Sequence, residues 1–298
     1  MIRHLLDIAD FTAAELQLVV DLAQRSELPR VLDGQGAALI FEKPSNRTRQ
    51  SMEMAVVRLG GHPVYTRPEE VEFDVRESVE DITRVMAGYH AILGARTFAH
   101  ATLQRMVAVS AVPVVNMLSD ESHPLQALAD VLTMQQVHGP LDGRTVAYVG
   151  DYNNVSRSLA EACVLLGANF VLGCPVGYHA SDDELQRLKA LGAGTVTQVH
   201  NARDAVGGAI AVHTDSWTSM GQEAQRAERA KAFTGFTVDA ALMAAAAPGA
   251  GFYHCLPAHR GEEVASEVID GPHSHVFAQA HNRLNAACGA LAFLKGVR

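Results

Sequence analysis

AALIFEKPSNRTR, running from Ala37 to Arg49, decides how the first part of this chain folds. The apolar run Ala37 to Phe41 makes a buried strand, and Ser45-Asn46-Arg47-Thr48-Arg49 then opens a helix. Met52, Ala55, Val56 and Leu59 mark that helix by their i, i+3, i+4, i+7 spacing, and Gly60-Gly61 stops it. A strand that turns straight into a helix aims backbone N–H groups and the positive end of the helix dipole at one point. Hydroxyls, an amide and guanidinium groups placed there make a phosphate site. The alternative is a capped helix with surface arginines. Arg47 and Arg49 are two apart, so on a helix they point about 200° away from each other and only one easily faces an anion. Arg47 is the better choice, and Arg49 is expected to pair with a carboxylate of the chain.

Working outward, strands expected at 37–42, 62–66, 90–94 and 112–117 alternate with helices at 12–24, 46–59, 78–87, 100–110 and 124–137. The turn Gly139-Pro140-Leu141-Asp142-Gly143 is the best boundary. The pattern restarts with Thr145 to Val149, then a helix carrying Val155, Leu159 and Leu166 and ended by Gly167. Further strands are expected at 169–173, 195–199, 208–213 and 251–256, and the alanine-rich 240–247 is a good helix former. The alternation implies an α/β protein with two doubly wound parallel-sheet domains, 1–138 and 139–298, and a cleft between them. A terminal helix at about 277–296 is expected to pack back on the first domain. Ligands of such sheets bind at the C-terminal ends of strands.

Composition narrows the field. The 298 residues, 48% hydrophobic and 19% charged, are ordinary for a globular protein. A net charge of −9 argues against a nucleic-acid partner, though not against a small anionic substrate. The N-terminus, with Asp7, Asp10 and Glu15, is an amphipathic helix and not a signal peptide. No run reaches about 18 apolar residues, so no membrane span is expected. Cys163, Cys174, Cys255 and Cys288 lie scattered without CxxC pairs. That suits a reducing, cytoplasmic setting, with no metal site and no disulfide framework.

The other chemistry-bearing residues fall at expected strand ends. Gly94-Ala95-Arg96 ends one strand, and Arg96 faces either a ligand or solvent. His123-Pro124-Leu125-Gln126 opens a helix with Pro124 at its first position. An imidazole N–H and a carboxamide NH₂ three residues apart then point at one carbonyl or phosphate oxygen, or else serve as a cap and a surface residue. Gly150-Asp151-Tyr152-Asn153-Asn154-Val155 lacks the second and third glycines of a G-x-G-x-x-G turn, so a nicotinamide cofactor is not expected. Its paired asparagines offer amides to a carboxylate or amine. Asp215, in Asp215-Ser216-Trp217-Thr218-Ser219-Met220-Gly221, either holds an ammonium group or caps a helix over 222–233. In His254-Cys255-Leu256-Pro257-Ala258-His259-Arg260-Gly261, Cys255 is either a buried inert thiol or half of a Cys–His nucleophile pair, though His254 and Cys255 would point to opposite sides of a strand. No second His or Cys at ligand spacing supports a metal.

Together, FEKPSNRTR (41–49), ESVEDITRVM (77–86), HPLQALAD (123–130), GDYNN (150–154), DSWTSMG (215–221) and HCLPAHRG (254–261) resemble the aspartate/ornithine transcarbamylase family nearly end to end. The SMG after Asp-x-Trp, with HCLP, resembles its ornithine branch. The resemblance implies transfer of the carbamoyl group of carbamoyl phosphate to the δ-amine of L-ornithine, giving L-citrulline and phosphate, in arginine metabolism. Attack is direct, with no covalent enzyme intermediate and no cofactor. By the same resemblance, Ser45, Asn46, Arg47, Thr48 and Arg96 hold the phosphate, and His123 and Gln126 hold the carbamoyl group. Cys255, the Leu256 backbone and Arg283 complete that pocket. Asn154, Asp215, Ser219 and Met220 bind ornithine. Arg47, Arg96, His123, Asp215 and Cys255 are the implied catalytic residues. A homotrimer, or a multiple of trimers, is implied, with the segment Arg76 to Ser78 reaching a neighbouring site. The family's usual Ser-Thr-Arg-Thr-Arg has Asn46 as its second residue here, which puts that one contact in question.

Overall fold

The computed structural model describes residues 2–218 and 223–298. The chain divides into two compact units, Met1–Leu132 together with Asn282–Arg298, and Thr133–His281.

The first unit runs α1 (Ala13–Gln24), β1 (Gly36–Phe41), α2 (Asn46–Arg58), β2 (His62–Thr66), α3 (Pro68–Val71), α4 (Val79–Tyr89), β3 (Ile92–Arg96), α5 (His100–Val109), β4 (Val114–Leu118) and the start of α6 (Pro124–His138). Its sheet has the order β2-β1-β3-β4, and every pairing is parallel. The chain steps from β1 outward to β2, then returns past β1 to β3, so the winding reverses between β1 and β3. β1 and β3 are apolar and buried because helices cover a parallel sheet on both faces. Ala38, Ile40, Leu93, Ala95 and Val114 meet Val79, Ile82, Leu103 and Met106 from α4 and α5 in one core.

The second unit runs β5 (Thr145–Val149), α7 (Asn154–Leu165), β6 (Asn169–Gly173), α8 (Asp182–Lys189), β7 (Thr195–Val199), α9 (Ala202–Val206), β8 (Ala211–Thr214), α10 (Arg226–Ala232), α11 (Ala240–Met243), β9 (Gly251–His254), α12 (Ser266–Ile269) and the start of α13 (Val276–Leu294). The order β7-β6-β5-β8-β9, again all parallel, reverses between β5 and β8. The α/β reading with two doubly wound parallel sheets is therefore what the chain adopts.

Several elements differ from the sequence reading for identifiable reasons. The alanine-rich stretch is helical only over Ala240–Met243. The amide of Ala247 donates to Ala209 O, so a tertiary bond overrides a favourable propensity. The strand expected at 208–213 begins at Ala211, after Gly208 turns with φ of +72°. The strand expected at 251–256 ends at His254, because Leu256 adopts φ of +59° and leaves the sheet direction. The far end of α13 belongs to the first unit. There Gly289 lies so close to α1 that a Cβ would come within 2.6 Å of Val19 O, and Phe293 meets Phe11 edge to face.

Candidate active site

In a doubly wound sheet the loops at the C-terminal ends of the strands beside the winding reversal are free to hold a ligand. In the first unit those loops carry the residues singled out above. Ser45 is the N-cap of α2, its Oγ accepting from the Thr48 amide at 3.4 Å. Asn46 and Arg47 occupy the exposed first turn, where Asn46 Oδ1 accepts from Gln50. Arg49 points elsewhere, paired with Glu53 at 2.8 Å and lying over the Tyr65 ring. Arg96, the last residue of β3, is 5% exposed, and its Nε has no protein partner. Arg283, on α13, reaches Gln126 Oε1 at 2.5 Å, Thr48 Oγ1 at 3.4 Å and His123 Nε2 at 3.5 Å. Gln126 in turn donates its NH₂ to Asp130 Oδ1 at 2.7 Å. Ser45, Thr48, Gln126, His123 and Arg283 are thus one connected cluster, with Arg96 and Arg47 close enough to act on it electrostatically.

The charges explain its behaviour. Burial, then the Arg283, Arg96, Lys43 and Arg47 cations, push His123 well below the ordinary imidazole range. His123 is therefore neutral at pH 7, with one ring nitrogen a donor and the other an acceptor. Burial, then Arg283 and Arg47, bring Arg96 down to about 10, so it stays charged. Several cations gathered around a neutral imidazole, beside the N-terminus of α2, form a site built for an anion.

In the second unit the corresponding strand ends present a carboxylate. Asp215, just past β8, accepts from Cys255 Sγ at 3.0 Å, from Asn153 Nδ2 at 3.0 Å and from the Ser216 amide at 2.8 Å. Ser216 Oγ donates to Pro257 O at 2.9 Å, tying this loop to the one after β9. Asn153 is the N-cap of α7 and turns its amide to Asp215 while Asn154 begins the helix. Ser219 and Met220 lie outside the described residues.

A family model for the aspartate/ornithine carbamoyltransferase carbamoyl-P binding domain matches residues 3–136. A second, for the Asp/Orn binding domain of the same proteins, matches residues 142–294. The chain belongs to the aspartate/ornithine carbamoyltransferase family. An ornithine carbamoyltransferase of Thermus thermophilus is 44% identical over 98% of this chain and 96% of its own length. An anabolic one of Pyrococcus furiosus is 40% identical over 99% and 96%. A solved structure of ornithine carbamoyltransferase from Pyrococcus furiosus superposes with a TM-score of 0.94, covering 99% of this chain and 98% of that one, at 40% identity. Lys43, Arg47, Arg96, His123 and Gln126 lie in the part matched as the family's carbamoyl-P binding domain, and Asp215, Cys255 and Arg283 in the part matched as its Asp/Orn binding domain.

Arg229 and Lys43 were not singled out from the sequence, and Asn153 was expected only as one of two asparagines offering an amide to a carboxylate or amine. Asn153 supplies the amide that reaches Asp215, a role that cap chemistry hinted at, since Asn followed by Asn at a helix start offers one for the cap. Arg229, 4% exposed, ion-pairs with Asp151 and donates to Trp217 O, bracing the segment after Asp215; a single arginine in α10 carries no such signal in sequence. Lys43, lying over the Phe98 ring and lowered by burial and by Arg96, adds a further cation near His123. Among the described residues, two groups offer metal-ligand atoms within 4.8 Å of one another, Asp215 with His254 and Cys255, and His259 with Glu262 and Glu263. In the first, both ring nitrogens of His254 are already engaged, by the Leu256 amide and Glu263.

Proposed function

We propose that this chain transfers the carbamoyl group of carbamoyl phosphate to the δ-amine of L-ornithine, yielding L-citrulline and phosphate. The observation that carries the reading is the convergence of Arg47, Arg96 and Arg283 on neutral His123 at the mouth of α2. Phosphate sits on the α2 N-terminus, bound by Ser45, Asn46, Arg47 and Thr48, with Arg96 beside it. Forked guanidinium contacts neutralise it as it leaves. Arg96 and His123 polarise the carbonyl, while Gln126, Arg283, Cys255 and the Leu256 backbone orient the carbamoyl group.

The δ-amine attacks directly, because carbamoyl phosphate is already activated. Catalysis comes from positioning and from charge stabilisation of the tetrahedral oxyanion. Asp215, with Cys255, orients the amine end, and Asn154, Ser219 and Met220 hold the rest of ornithine. A Lys-like amine of pKa about 10.4 is neutral in only about one molecule in 10³ at pH 7, which costs roughly 4–5 kcal/mol. The clustered arginines lower that cost by disfavouring the ammonium form of the bound substrate.

A homo-oligomer built on trimers goes with this reading, supported by the exposed apolar side chains of Val75, Tyr89 and Phe98 in the first unit. So does a cytoplasmic setting, supported by four free cysteines. Among the described residues no helix is long and apolar enough to cross a membrane. The anabolic role named for the Pyrococcus furiosus relative supports a place in arginine synthesis. The deciding experiment supplies carbamoyl phosphate with ornithine, putrescine or aspartate as acceptor. Turnover with ornithine alone is expected. Turnover with putrescine or aspartate instead overturns the choice of acceptor, and none with any of them overturns the reaction.

A further inference from the structure

The segment that carries Cys255 is held by a buried relay that the reaction itself does not use. Past β9 the backbone turns at Leu256, whose φ of +59° is unfavourable for a side chain of that size and needs external support. The support is His254, whose Nδ1 accepts the Leu256 amide proton at 2.8 Å. An N–H can only donate, so Nδ1 carries the lone pair and the ring proton sits on Nε2. Nε2 lies 3.2 Å from Glu263 Oε1, which also accepts from the His259 amide at 2.5 Å. His254 and Glu263 are both fully buried, and the His254 amide is fixed in turn by Gln279 Oε1 at 2.9 Å. A buried carboxylate facing an imidazole is a costly arrangement, retained where it selects one tautomer and one ring orientation.

We propose that Glu263 and His254 are positioning residues for carbamoyl transfer. Glu263 fixes the His254 tautomer, His254 fixes the left-handed Leu256, and Leu256 sets the backbone and the Cys255 thiol that face the substrates. This rests on the placing of Cys255 and Leu256 in the substrate pocket. Neither His254 nor Glu263 touches substrate, so their loss acts on geometry alone. A misplacement of about 1 Å at a reacting centre costs on the order of 100-fold in rate.

Four variants separate the relay from a merely structural role. In H254N the amide oxygen stands where Nδ1 stood and keeps the Leu256 bond. In H254Q the amide reaches Glu263 but leaves the Leu256 amide unheld. E263Q keeps an acceptor for His254, and E263A removes it. H254N and E263Q are expected to retain turnover within about threefold, while H254Q and E263A lose about 100-fold in kcat with little change in either KM. Equal activities for H254N and H254Q, or a fully active E263A, overturn the relay. Hydrogen exchange of the Leu256 amide gives a readout independent of catalysis, and it remains decisive if E263A does not fold. Slow exchange in wild type and H254N with fast exchange in H254Q supports the relay, and no difference overturns it. Should the wild type turn over no acceptor, the reaction falls while the exchange data still decide the relay.

Discussion

At the scale of single residues, the chemistry turns on which groups are charged and what they face. Arg47 has an exposed place on the first turn of α2, and in the proposed reaction it is the charge that meets the phosphate. Arg47→Ala is expected to lower kcat/KM for carbamoyl phosphate by about 10²–10³, the usual loss when a preorganised donor is removed; near-normal turnover would refute the phosphate assignment. Cys255 donates to Asp215, the opposite of the electropositive setting that makes a thiol nucleophilic. Cys255→Ala should therefore impair turnover without abolishing it, and mass spectrometry of the stalled wild-type enzyme should show no carbamoyl-thiol adduct. Because His123 is held neutral by burial and by neighbouring cations, it contributes no acid limb near its ordinary pKa. The acceptor amine governs the profile instead, so activity should climb from pH 6 to pH 9. A flat rate across that range counts against direct attack by the free amine.

At the scale of elements, two helices matter most. α7 is capped by Asn153, whose Oδ1 accepts from the amides of Val155 and Ser156 while its Nδ2 serves Asp215. Asn153→Asp keeps the cap but sets a second carboxylate against Asp215. Thermal stability should change little while the KM for ornithine shifts; a loss of stability with KM unchanged would mean that the asparagine serves only the helix. α13 packs on α1 through Gly289, where any side chain meets the Val19 carbonyl at once. Gly289→Val should destabilise the first unit by about 1–3 kcal/mol, the usual cost of overpacking, seen as a lower unfolding midpoint. Helix and strand positions were mostly legible, since β1, α2 and β5 announce themselves by periodicity. α8 and α9 were not picked out, because they are short and α8 is polar over most of its length.

At the scale of the molecule, histidines make stability depend on pH. His4, His90, His123, His138 and His275 all have pKa values lowered chiefly by burial. As pH falls through about 6.5 the unfolded chain takes up protons at these positions and the native chain takes up fewer. The unfolded state then binds more protons, so unfolding free energy falls with pH in that window. Glu184, held down to about 2 by its Arg187 hydrogen bond, keeps its contribution until much lower pH. Glu42 and Asp151, raised by burial, act in the opposite sense but only in the carboxylate range. The urea midpoint should therefore drop between pH 7.5 and pH 5.5, and a constant midpoint would contradict the burial of these imidazoles.

The sequence by itself determined the alternation of strands and helices, the two parallel sheets, and the motifs at strand ends. These depend on hydrophobic period and local turn chemistry, which neighbouring residues encode. It also carried the resemblance that named the substrates. Only the tertiary structure decided which groups meet. Arg283 reaches Gln126 and Thr48, 157 and 235 residues away in sequence, and Asn153 reaches Asp215 across 62 residues. It also decided that His123 is neutral and that Leu256 turns left-handed. Desolvation, and cations brought from distant elements, set the first, while His254 and Glu263, buried beside it, hold the second.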